Sequence, residues 1–134
     1  MQFILIANLD KLILMKKNNL MILIAGPYSS RARNSVQMKK HLKKMEEIAL
    51  PIFRAGHIPI IGEWFAMPLF KAAGSRSVRD AVYDEIFFPI SARIIRKCDA
   101  ILRIEDETSR ADEDVLLARV LGIPVYYKLE DILN

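Results

Sequence analysis

Residues able to do chemistry gather at two points in this chain. The first is Asp112-Glu113-Asp114, a run of carboxylates after Thr108-Ser109-Arg110-Ala111. Val115, Leu116, Ala118, Arg119 and Leu121 continue it as a helix that stops at Gly122, and Pro124-Val125-Tyr126-Tyr127 reads as a strand. A hydroxyl-bearing turn that opens a helix and returns into a strand is where α/β folds place ligands. A carboxylate there can attack an electrophilic carbon or stabilise positive charge growing on it. The same residues also suit the positive end of a helix dipole, which is a purely structural use.

The second point is Gly26-Pro27-Tyr28-Ser29-Ser30, directly after the apolar run Met21-Ile22-Leu23-Ile24-Ala25. Free backbone N–H groups and hydroxyls at a helix start form an anion site, and Arg31 and Arg33 would add charge. A single glycine and no Gly-Lys-Ser/Thr ending exclude a Walker loop and a dinucleotide fingerprint. An ordinary strand-to-helix turn with a Ser or Asn cap accounts for the loop equally well.

The elements that must position these groups follow from periodicity. The first run reads as a buried parallel strand. Val36, Met38, Leu42, Met45, Ile48, Ala49 and Ile52 recur at helical spacing, and Gly56 caps that helix. His57-Ile58-Pro59-Ile60-Ile61 is a second strand. The segment from Gly62 to Val78, with Trp64, Phe65, Met67, Leu69 and Phe70, reads as a short helix or lid and then a loop. A helix from about Val78 to Lys97 contains Pro89, which predicts a kink or a split. Asp99 through Ile104 is a third strand, Val125 through Tyr127 a fourth, and Leu129 through Leu133 a terminal helix. Strands alternate with helices and no hairpin signal intervenes, which predicts a parallel sheet of four to five strands with helices on both faces.

Composition narrows the function classes. A chain of 134 residues, 52% hydrophobic, forms one domain with one real core. The domain pattern occupies residues 21–134; residues 1–20 are an extra N-terminal element or an upstream-extended start. Phe3-Ile4-Leu5-Ile6-Ala7 is broken by Asp10 and Lys11 before it could span a membrane, and no signal-peptide pattern appears. The single cysteine, Cys98, fits a reducing cytoplasm and reads as a small core residue. The net charge of +4 lies largely in Lys39, Lys40, Lys43, Lys44, Arg93, Arg96 and Lys97. No aromatic-interleaved basic motif accompanies these runs, which argues against nucleic acid, whereas a positive field suits a phosphorylated small molecule. His41 and His57 are isolated, and no cluster has metal-ligand spacing, so no metal is expected.

Ile22-Leu23-Ile24-Ala25-Gly26-Pro27-Tyr28-Ser29 resembles the opening strand and loop of the nucleoside 2-deoxyribosyltransferase-like superfamily. Ala55 through Ile60 and Cys98 through Ile104 resemble its second and third strands, and Ser109 through Val125 its signature, most like that of a small, poorly characterised branch. The resemblance implies a flavodoxin/Rossmann-like three-layer sandwich and a homodimer or higher oligomer. It implies cleavage or exchange of the N-glycosidic bond of a nucleoside or nucleotide without a cofactor. Counting from Ala118 and Gly122 puts Asp114 at the position of the family's glutamate; a one-residue shift offers Glu113 instead. Gly26, Pro27, Tyr28, Ser29, Ser30 and Ser109 become candidate substrate-binding residues, and Asp80 and Asp84 join them as acidic residues in a region that contacts the sugar or base. Helix-start capping explains Asp80 and Asp84 as well, and Trp64 and Phe65 suit either a nucleobase or a core. Because aspartate is shorter than glutamate, an inactive nucleotide-binding or sensing module is the alternative to an enzyme.

Overall fold

The computed structural model describes residues 9, 19–26, 34–76, 80–104 and 109–133, with residues 35 and 109–112 as backbone alone. β1 (Met21–Ala25) pairs with β2 (Ile58–Ile60) on one side and β3 (Ala100–Arg103) on the other, and β4 (Val125–Tyr126) flanks β3. The order is β2-β1-β3-β4 and every pair is parallel. The helices are α1 (Ser35–Arg54), α2 (Gly62–Ala72), α3 (Ala81–Ile95), α4 (Ser109–Val120) and α5 (Leu129–Leu133). This is the predicted α/β architecture, a flavodoxin-like doubly wound sheet. No helix among the described residues is long and apolar enough to cross a membrane.

β1, and β3 as far as Leu102, are apolar because both faces of the sheet centre are covered. Ile22, Ile24, Ala100 and Leu102 pack in one cluster with Met38, Met45 and Ile52 of α1 and Ile132 of α5. Leu23, Ala25 and Ile101 point the other way and pack with Ile95, Cys98 and Ala118 of α4. Side chains alternate along each strand, so a continuous apolar run serves two cores at once.

Polar residues at the N-terminal edge of the sheet hold its register. The Asp99 carboxylate accepts from the Met21 N–H at 2.8 Å, and the Asp99 N–H donates to the Met21 carbonyl at 2.8 Å. His57 Nδ1 accepts from the Leu20 N–H at 3.3 Å. Both residues are structural and lie away from the edge where α/β folds bind ligands.

Helix ends follow the sequence signals. Asn34 caps α1 through the Gln37 N–H at 2.9 Å. Gly56 and Gly122 lie at φ 99° and 73°, past the ends of α1 and α4. At each end the next N–H reaches back, His57 to the Ile52 carbonyl and Ile123 to the Ala118 carbonyl, a closure that needs a left-handed residue. Of the two readings for the segment after Gly62 the structure has the helix, packed with Phe70 of α2 and Tyr83 of α3 at a ring separation of 4.4 Å. One detail departs from expectation: Pro89 neither ends nor splits α3, which runs from Ala81 to Ile95. Pro89 and Glu85, whose carbonyl loses its helical partner, are both exposed, so water satisfies the freed acceptor.

Cys98 is buried at 7% exposure. Burial, with the neighbouring Asp99 charge, pushes its thiol from 9.0 up to about 11, against a backbone hydrogen bond at Leu23 that lowers it. The native thiol should therefore resist alkylation at neutral pH and react on unfolding. Between pH 9 and 11 the unfolded chain releases a proton that the native chain keeps, so this stabilisation is complete below pH 9 and fades towards 11. Denaturation of wild type and Cys98→Ala across that window should show the difference between them shrinking by at most ~1.4 kcal/mol per pH unit.

Candidate active site

In a doubly wound sheet the ligand crevice forms where neighbouring connections leave in opposite directions, at the carboxyl ends of the strands. Here that point lies between β1, which leads towards β2, and β3, which leads towards β4. Gly26 ends β1 there. A Cβ on Gly26 would stand 3.2 Å from Met45 Cε and 3.5 Å from Ile104 Cδ1, so glycine lets the chain leave the sheet tight against α1. Pro27, Tyr28, Ser29 and Ser30 lie outside the described residues, as do Arg31 and Arg33.

Two charged residues at this edge were not singled out from the sequence. Arg103 ends β3 opposite Ala25, and its Nε has no accessible surface. Glu63, in the first turn of α2 just past β2, is wholly buried. A glutamate at a helix start reads as a solvent-facing complement to the dipole. Only the packing of α2 reveals its burial.

The acidic segment forms a second locus. α4 begins at Ser109, a turn earlier than the carboxylate run suggested, so Asp114 is its sixth residue. At 1.5 Å per residue it sits about 7–8 Å along the axis from the helix start. Its half-buried carboxylate accepts from the Ser91 hydroxyl at 2.9 Å, and Ser91 is itself buried in α3. Around this bond lies a cleft of about 220 Å³, lined by Phe87, Phe88, Ser91, Glu113, Asp114 and Leu117 among others. That is smaller than the roughly 300–1,000 Å³ of whole-ligand pockets and suits one flat ring or a sugar. Both carboxylates favoured from the sequence line it, Asp114 half-buried and Glu113 exposed. Phe87 and Phe88 give it an aromatic wall.

The other candidates separate. Asp80 caps α3: it accepts from the Tyr83 N–H at 2.7 Å, the Arg76 N–H at 3.1 Å and the Ser75 hydroxyl at 3.0 Å. Its carboxylate closes the α2–α3 connection, the capping role weighed from the sequence. Asp84 is exposed on α3. Ser109 starts α4 and is described as backbone alone. Trp64 donates through Nε1 to Glu46 on α1 at 2.9 Å, which ties α2 to α1.

The Ser91–Asp114 bond is testable without a substrate. A double-mutant cycle of Ser91→Ala and Asp114→Ala, followed by chemical denaturation, should give a coupling of about 1 kcal/mol. Additive losses would show that the bond contributes nothing.

The fold has a solved counterpart. The chain is similar to the structure of a 2-deoxyribosyltransferase from Bacillus psychrosaccharolyticus, with a TM-score of 0.53 over 85% of this chain and 90% of that one, at 17% sequence identity. That enzyme is described as a biocatalyst for the synthesis of nucleosides. No protein-family model and no curated protein matches the sequence. At this identity the likeness establishes a shared fold.

Proposed function

We propose that the chain acts on the N-glycosidic bond of a nucleoside or nucleotide, as a hydrolase or a 2-deoxyribosyltransferase, with Asp114 as the working carboxylate. The observation that carries this reading is the pairing of Asp114 with buried Ser91 inside an aromatic-walled cleft. The fold shared with a 2-deoxyribosyltransferase supports it. Cleaving a glycosidic bond puts positive charge on the anomeric carbon as the bonding pair leaves with the base nitrogen. A carboxylate beside that carbon either holds the charge while water attacks or forms a C–O bond that water or a second base then breaks. The Ser91 hydroxyl helps fix the orientation of the carboxylate. The face of Phe88 suits a nucleobase. In this reading Gly26, Pro27, Tyr28, Ser29, Ser30 and Ser109 hold the sugar or a 5′-phosphate. The active form is an oligomer in the cytoplasm.

A screen of nucleosides and nucleoside monophosphates, scored chromatographically for released base, tests the reaction class. Asp114→Asn keeps shape and hydrogen bonding but removes the charge, so turnover should fall by about 10²–10³ while binding persists. Loss confined to Glu113→Gln would move the role by one residue. If the wild type is silent and Asp114→Glu releases base, the natural chain is a binding module on an enzyme scaffold. Indifference to all three changes would end the glycosidase reading.

The loop has its own test. A nucleoside monophosphate should raise the melting temperature, since binding only the native state stabilises it. The Ser29→Ala, Ser30→Ala pair should abolish that rise. A rise that survives both changes would remove the loop from the site.

A further inference from the structure

The solvent side of α1 carries a charge pattern that the helix itself does not favour. Met38, Met45, Ala49 and Ile52 form its buried line. On the opposite side Val36, Lys40, Lys43, Glu47, Leu50 and Arg54 follow one another at intervals of four and three residues, all exposed. Lys39, Lys44 and Phe53 are exposed beside them. That spacing makes one straight stripe, about 27 Å long at 1.5 Å per residue. Lys39 and Lys43 stand at i, i+4, as do Lys40 and Lys44, and like charges at that spacing repel. The first turn of α1 holds no acidic residue to offset the positive end of the helix dipole, whereas those of α2 and α3 hold Glu63 and Asp84. Glu46 and Glu47 come only in the turn after the lysines, and Glu46 accepts from Trp64 Nε1–H at 2.9 Å. Four ammonium groups within two turns cost stability, and a local choice made against stability marks a functional surface.

The partner must carry dense negative charge and must also take apolar groups. Val36 is 74% exposed, Leu50 47% and Phe53 65%, and they lie at the two ends of the stripe with the lysines between. A phosphate backbone would neutralise the lysines but offers Leu50 and Phe53 little to bury against. An anionic lipid surface answers both needs, with headgroup charges for the lysines and the acyl boundary just beneath for the apolar side chains. A straight stripe along one helix also meets a plane over its whole length.

We propose that the outer face of α1 docks on an anionic membrane surface. Lys39, Lys40, Lys43 and Lys44 pair with headgroups, and Leu50 and Phe53 enter the boundary below them. α1 packs on the Ile22 and Ile24 face of the sheet and α4 on the other, so the docked chain keeps the cleft against α4 open to solution. The inference does not rest on the glycosidase reading, and its test reads lipid binding alone.

Vesicle co-sedimentation of the full chain decides the matter, with far-ultraviolet circular dichroism to confirm that each variant folds. Vesicles of phosphatidylcholine mixed with phosphatidylserine should retain the wild type at low salt. Pure phosphatidylcholine vesicles should not, and high salt should release the protein. Lys39→Gln with Lys43→Gln should weaken retention on the order of thirtyfold. Phe53→Ser should weaken it as well, with its salt dependence unchanged. A wild type that ignores phosphatidylserine vesicles would overturn the proposal. So would retention unaltered by the lysine changes or by Phe53→Ser, which would place the contact elsewhere on the chain. Preference for a single-stranded oligonucleotide over the vesicles, lost in the same lysine variant, would make this a nucleic-acid surface instead.

Discussion

The structure depends on one constraint, the burial of β1 between two strands and two layers of helices. Ile22, Leu23, Ile24 and Ala25 are all at least 97% buried, so their peptide groups have no access to water and must be paired within the sheet. Pairing with β2 and β3 on either side meets that need, and parallel pairing forces each connection to cross over through a helix. The reversal of connection direction at β1 follows from β1 standing second in the order. A crevice at the carboxyl ends of β1 and β3 is therefore a consequence of topology before any side chain is considered. Gly26, pressed against Met45 and Ile104, lies where the apolar constraint ends and a polar loop begins.

The elements themselves were legible because each rests on local chemistry. The apolar run at Met21–Ala25, the helical spacing from Val36 to Ile52, and the glycines at 56 and 122 all report backbone preference or two-sided burial. The core role of Cys98 was legible for the same reason. Legibility failed where a neighbour in space decides the outcome. Pro89 is a breaker in isolation, yet α3 continues through it because the orphaned carbonyl faces solvent. Glu63 looks like a surface complement to a dipole and is wholly buried. Ser91 carried no signal at all: a lone serine in a helix gains meaning only from Asp114, twenty-three residues later.

The site candidates illustrate the limit more sharply. Three acidic residues at or near helix starts were comparable on sequence grounds, and packing divides them. Asp80 accepts from donors on both sides of a turn and closes it; Glu113 stands exposed at the mouth of a cleft; Asp114 is half-buried in that cleft and accepts from a buried hydroxyl. A carboxylate saturated by backbone N–H groups is a poor nucleophile because each bond stabilises its resting charge. One held in place by a neighbouring hydroxyl loses little freedom on binding.

α3 joins the three roles. Asp80 caps it, so its first turn is anchored to the α2 connection. Tyr83 and Phe87 stack at 5.5 Å with rings 8° apart and hold its inner face in the core. Ser91 lies two turns beyond Tyr83 on that buried side and meets α4 there. A rigid helix fixes the relation between its turns, so the anchoring of its first turn and inner face sets the position of Ser91 against Asp114. Aspartate has one methylene less than glutamate with which to absorb an error of placement, and ~1 Å of misplacement costs on the order of a hundredfold in rate. Under the proposed reading, a working carboxylate on the shorter side chain must be held more tightly by the surrounding helices, and the capped, core-stacked α3 supplies that restraint.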